Sequence, residues 1–133
     1  MFVLDASGLL AFLLDEEGAA EVERMLASSG AISAGNLAEA LSKVAERGAD
    51  PGEVARDLEA RGVLGDLLAV EPVTAQDAIT IAEMRAATKE HGLGLGDRIC
   101  LALGRRLDLP VMTADRAWVE LEEAVGVKVH AFR

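Results

Sequence analysis

Phe2-Val3-Leu4 is an unbroken apolar run that stops on Asp5-Ala6-Ser7-Gly8. Such a run is the pattern of a strand buried on both faces, and it delivers the residues after it to the edge of a sheet. Ser7 to Leu14 is apolar nearly all round and predicts a buried helix, broken at Asp15-Glu16-Glu17-Gly18. From Ala19 to Ser28 the pattern becomes amphipathic, with Val22, Met25 and Leu26 on one helical face and Glu21, Glu23 and Arg24 turned away. Ala31-Ile32-Ser33 reads as a minimal second strand. Asn36 to Arg47 is a helix with apolar Leu37, Ala40, Leu41 and Val44, closed by Gly48.

Asp50-Pro51-Gly52-Glu53 is a helix start: a capping residue, proline in the first turn, and an acid three residues after the cap. That helix runs to about Arg61 and ends at Gly62. Leu67 to Val70 is a third strand. Thr74-Ala75-Gln76-Asp77 has the form of a capping box and opens a helix that lasts to His91-Gly92. The run Gly92-Leu93-Gly94-Leu95-Gly96 reads as a loop feeding Asp97 into a helix that ends at Leu107. Pro110 to Thr113 is a fourth strand, Asp115 to Ala124 a helix, and Val127-Lys128-Val129 a closing strand. Strands alternating with helices predict an α/β fold, with a central, mostly parallel sheet of four to five strands covered by helices on both faces. No repeat, linker or low-complexity stretch divides residues 1–133, so a single domain is expected.

Composition narrows the class. A hydrophobic content of 51% argues against disorder, and 3% aromatics means a core of Leu, Val, Ile and Ala. Cys100 is the single cysteine and cannot form an internal disulfide, which makes a reducing compartment the expectation. No basic segment precedes the first apolar run, and Gly8 to Leu14 is too short to span a bilayer. A cytoplasmic protein with no membrane partner is expected. The net charge of −10 counts at first against a nucleic-acid partner, since phosphate binding is dominated by Lys and Arg. The excess is uneven: residues 1–66 carry 13 acids and 5 bases, residues 67–133 carry 10 acids and 8 bases. The second half leaves room for a local basic face, and bound metal would neutralise part of the remainder.

Asp5, Glu39, Asp97 and Asp115 lie just after strands or at helix starts. Each has a structural explanation. Asp5 and Asp115 suit N-caps, Asp97 suits a first helical turn, and Glu39 suits the third-position partner of an Asn36 cap. Convergence changes the weighting. If the first and fourth strands are neighbours, Asp5 and Asp115 lie side by side, with Glu39 and Asp97 entering from helices that start at the same edge. Two carboxylates about 4 Å apart repel by on the order of 4 kcal/mol at an effective dielectric of about 20. Such a cluster makes sense around a hard divalent cation, because Mg2+ and Mn2+ favour carboxylate oxygens and water.

Four segments, VLDAS at residues 3–7, SAGNLAEAL at 33–41, LGLGDRICLALG at 93–104 and VMTADRAW at 111–118, resemble the signature segments of PIN-domain ribonucleases, specifically the VapC toxins of toxin–antitoxin pairs. The resemblance covers the whole chain, in order. It implies that Asp5, Glu39, Asp97 and Asp115 are the acidic catalytic and metal-binding quartet, with Ser7, Asn36 and Thr113 as supporting polar groups. It further implies Mg2+ or Mn2+ as cofactor, RNA as substrate, a cognate antitoxin as inhibitor, and a homodimer. Arg98 and Arg116, each next to a site acid, are candidates for phosphate contact, with solvated arginines near helix starts as the equal alternative.

Other polar residues weigh less. His91 at a helix end and His130 near the terminus lack metal-ligand spacing. Cys100, between Ile99 and Leu101, reads as a small core residue, and Trp118 as packing for the last helix. Arg105 and Arg106 suit the end of a helix dipole as well as they suit RNA. Two further functions stay open: a phosphatase with Asp5 as nucleophile, although Ser7 stands where a second Asp is wanted, and a non-catalytic interaction module. For the module, Val54 and Leu58 would face a partner from an otherwise charged helix.

Overall fold

A computed structural model describes residues 1–133. Its strands are β1 (Val3–Leu4), β2 (Gly30–Ser33), β3 (Leu68–Glu71), β4 (Val111–Thr113) and β5 (Val129–Ala131). They form one sheet in the order β3-β2-β1-β4-β5, parallel at every pairing. Parallel neighbours need a crossover between them, and helices supply it. These are α1 (Ala6–Leu14), α2 (Ala19–Leu26), α3 (Ala34–Glu46), α4 (Pro51–Ala60), α5 (Ala75–Thr88), α6 (Leu95–Leu107) and α7 (Glu122–Val125). Single 3-10 segments, Lys89–His91 and Arg116–Leu121, follow α5 and precede α7. No helix is long and apolar enough to cross a membrane.

The alternation of side chains along the strands divides the core in two. Phe2, Leu4 and Ile32 point to one face, where they pack with Leu9, Val22, Ala40 and Leu58 from α1 to α4. Val3, Ala31 and Val111 point to the other, against Met84, Leu101, Leu103, Trp118 and Val125. The sheet is therefore covered on both sides, as the alternation of elements predicts. Leu58 is fully buried in the first core, so the apolar side of α4 packs inward instead of facing a partner. Helix α1 lies close on β1: a side chain at Gly8 would overlap Leu4.

Several boundaries differ from the expected ones, among them the start of α6, which takes in Leu95 and Gly96 from the run read as loop. Helix α3 starts at Ala34, not Asn36, because Ser33 takes the cap with its hydroxyl accepting the Gly35 amide at 3.2 Å. The segment after Asp115 winds as a 3-10 helix before α7 begins. The last strand is Val129–Ala131, paired Val111↔Val129 and Thr113↔Ala131, while Val127 is spent on packing beside Gly104 and Val111 under α6.

Candidate functional site

Pairing of β1 with β4 sets Leu4 opposite Met112, so the residues after each strand emerge together at the carboxyl edge of the sheet. Asp5 leaves β1 and caps α1. Its Oδ1 accepts from the Gly8 amide at 2.9 Å and the Ser7 hydroxyl at 2.6 Å, and its Oδ2 accepts from the Thr113 hydroxyl at 2.6 Å. Both hydroxyls also accept a hydrogen bond: Ser7 Oγ from the Ala114 amide at 3.0 Å, Thr113 Oγ1 from the Asp115 amide at 3.1 Å. The end of β1 and the loop after β4 are thus stitched together by two side-chain hydroxyls, with Asp5 held at 6% exposure between them.

Asp97 arrives on α6, where its Oδ2 accepts from the Gly94 amide at 3.0 Å across the first turn. Asp115 is exposed and caps the 3-10 segment, its Oδ1 accepting from the Ala117 amide at 3.0 Å. Glu39, also exposed, comes from the second turn of α3, and its Oε1 accepts from Asn36 Nδ2 at 2.7 Å. The same Asn36 nitrogen donates to the Gly96 carbonyl at 2.8 Å, joining α3 to the start of α6.

Two of these acids are therefore true caps and Asp97 is the third-position partner of the Gly94 cap, yet they also act on one another. Burial pushes the Asp5 carboxyl above its ordinary value and outweighs the hydrogen bonds from Ser7, Thr113 and Gly8, with the Asp97 charge adding to the push. Burial likewise raises Asp97, where the Asp115 charge adds to it and the Gly94 amide and Arg98 offset it in part. Cys100, one turn along α6 from Asp97 and fully buried, has its thiol pushed well up by burial and then by Asp5, Asp97 and Glu39. The cysteine is a core residue, and it lies close enough to feel three of the four acids.

No lysine or arginine forms an ion pair with any of these four acids. The five ion pairs of the molecule are Glu21–Arg24, Glu46–Lys43, Asp57–Arg61, Asp77–Arg106 and Glu16–Arg133. Arg98 is neither an outward-reaching phosphate contact nor the solvated arginine that its position next to Asp97 equally allowed. One step along a helix turns a side chain by about 100°, and here that turn carries Arg98 into the packing against α5, where Nη1 donates to the Ile81 carbonyl at 2.9 Å and only 7% of the residue is exposed. Arg116 is exposed, with Nε donating to the Arg133 carbonyl at 2.7 Å. Arg106 is committed to Asp77 and the Pro72 carbonyl. His91 and His130 are exposed.

No three acidic, histidine or cysteine side chains close a coordination shell among themselves. A cation here would keep water among its ligands, as Mg2+ does. The donor chemistry fits such an ion: hard carboxylate oxygens, two of them on residues whose charge is resisted by burial and by like neighbours, with no lysine or arginine paired to any. Gly96 is a site residue that the sequence did not single out, because the glycine-rich run around it reads as plain loop.

The family model for the PIN domain matches residues 2–124, and the chain belongs to that family. Among solved structures, it is similar over 99% of its length to FitAcB from Neisseria gonorrhoeae, with 23% identity, 98% of that chain covered and a TM-score of 0.72. FitAB bound to an IR36 DNA fragment matches over 99% of this chain and 95% of that one, at 21% identity and a TM-score of 0.71. VapBC-1 from nontypeable Haemophilus influenzae matches at 14% identity, 98% and 97% coverage and a TM-score of 0.67. At these identities the likeness is one of fold. No curated protein matches in sequence.

Proposed function

We propose that the chain is a metal-dependent endoribonuclease of the VapC type, which hydrolyses RNA phosphodiester bonds with Mg2+ or Mn2+ and is held inactive by a cognate antitoxin. The observation that carries this reading is that Asp5 and Asp115 leave the neighbouring strands β1 and β4, while Glu39 and Asp97 come from α3 and α6, which Asn36 ties together, with no basic side chain paired to any of the four. Membership of the PIN family and the shared fold with FitAcB and VapBC-1 support it.

In this reading Asp5 and Asp97 hold the cation directly, while Glu39 and Asp115 complete its surroundings directly or through water. When bound, the cation neutralises phosphate charge and lowers the pKa of a water for attack on the phosphodiester. The protein's share of the work is orientation. Ser7, Gly8 and Thr113 fix both oxygens of Asp5, so the carboxylate does not have to be ordered when the ion arrives. The same bonds argue against Asp5 as a phosphatase nucleophile, since a carboxylate 6% exposed with both oxygens engaged has little freedom to attack. Arg116 is the remaining candidate for phosphate contact. A cytoplasmic homodimer that pairs with its antitoxin completes the reading.

The test is incubation of the partner-free protein with a pool of structured RNAs and Mn2+ or Mg2+, beside EDTA and Asp5→Asn controls. Cleavage that needs metal and is lost in the variant is the expected result. Full cleavage by an Asp5→Asn, Asp97→Asn double variant would overturn it.

A further inference from the structure

Gly96 lies inside α6, where glycine is a poor helix former. Its backbone does not need glycine, because its φ is not among the positive ones. What the missing side chain provides is space: a Cβ at Gly96 would overlap the whole carboxylate group of Glu39. The Glu39 carboxylate therefore rests against the first turn of α6, the turn that carries Asp97.

Asn36 holds it there. The residue is 1% exposed, and its Nδ2 donates both to Glu39 Oε1 and to the Gly96 carbonyl. Two acceptors on one side fix the orientation of the amide with its nitrogen toward them. The cost of that orientation is visible, since Asn36 Oδ1 is buried without a partner. A buried amide that leaves one end unsatisfied to make two bonds at the other is under demand for those two bonds.

We propose that Asn36 and Gly96 are positioning residues: together they set how closely Glu39 approaches Asp97, and through that spacing they set the affinity of the acidic site for a hard divalent cation. The proposal rests on the metal reading of the site given above. Neither residue touches the ion. Asn36 acts through Glu39, and Gly96 acts by leaving room for it.

The experiment is calorimetric titration of the full chain with MnCl2, comparing wild type, Gly96→Ala, Asn36→Ala, Glu39→Asp and the Gly96→Ala/Glu39→Asp pair. Gly96→Ala should weaken Mn2+ binding about tenfold, and Asn36→Ala by about 10- to 100-fold, the usual effect of losing an outer partner of a metal ligand. Alanine is the better helix former, so the melting temperature of Gly96→Ala in EDTA should not fall, which separates positioning from damage to the fold. Shortening Glu39 by one methylene withdraws its carboxylate from the space a Cβ would fill. In the Glu39→Asp background, Gly96→Ala should therefore cost little further affinity.

Wild-type affinity in Gly96→Ala would overturn the proposal, as would an equal loss in both backgrounds. A wild type that binds no Mn2+ would instead overturn the metal reading, and this inference with it.

Discussion

Thr113 Oγ1 stands 2.6 Å from Asp5 Oδ2, across 108 residues of sequence, and at the same time accepts the Asp115 amide at 3.1 Å. One hydroxyl thus orients one site acid and anchors the backbone of another. Thr113→Val keeps the shape and removes both bonds, leaving a buried carboxylate oxygen and an amide unsatisfied. A loss of about 1–3 kcal/mol is expected in urea denaturation, together with weakened RNA cleavage. Thr113→Ser should recover most of both. A valine variant as stable and active as wild type would show that the hydroxyl is dispensable.

The pH dependence of stability has a definite sign at Asp97. Burial, then the Asp115 charge, raises its carboxyl above the ordinary 3.8, despite the Gly94 amide and Arg98. A carboxyl raised in the folded state keeps its proton where the unfolded chain has released it. Its contribution to stability is full below the unfolded pKa and is lost as pH rises through the folded one. Asp97→Asn, whose side-chain oxygen still accepts from Gly94, removes that loss. In EDTA the variant should gain on wild type between pH 3.5 and 7, and an equal difference at both values would sink the argument.

Metal should stabilise the native state. At a concentration a hundredfold above its dissociation constant, Mn2+ adds about 2.7 kcal/mol if the unfolded chain does not bind it. Thermal melts with and without MnCl2 test this, and EDTA should reverse the gain. Asp5→Asn should lose most of it. A flat melting temperature across the titration would count against a cation site.

Asp77 behaves in the opposite way. Burial pushes its carboxyl up, but the Thr74 amide and Arg106, whose Nε lies 3.0 Å away, overcome that and hold it below the ordinary value. Its stabilisation is present above the unfolded pKa and is lost as pH falls through the folded one. Arg106→Ala should therefore cost about 1–3 kcal/mol at pH 7 and less at pH 3. Denaturation at the two pH values gives the comparison.

What could be read from the chain follows how far each determinant reaches. The caps at Asp5, Asp50, Thr74 and Asp115 bond within three residues of themselves, and all four stand where the sequence places them. The parallel sheet followed from the alternation of strands with helices, whereas the order β3-β2-β1-β4-β5 rests on pairings between distant segments. The start of α3 was placed late because Ser33 and Asn36 are both good caps and Ser33 takes the position, while Asn36 is engaged by Gly96 sixty residues away, which no local pattern contains. Arg98 failed for a related reason: adjacency to Asp97 in sequence is not a shared face on a helix. The role of Gly96 was invisible because a glycine in a glycine-rich run already has a local explanation.

The hydroxyl stitch between β1 and β4 also sets when the site can exist. Asp5 and Thr113 are 108 residues apart, and Thr113 ends β4, the strand that joins the sheet between β1 and β5, with Asp115 in the turn just after it. Until that strand docks, Asp5 lacks one of its three donors and the cluster lacks an acid. A chain in which β4 has not docked has no finished site, so the arrangement around Asp5 is a product of the assembled sheet and not of the segment that carries it.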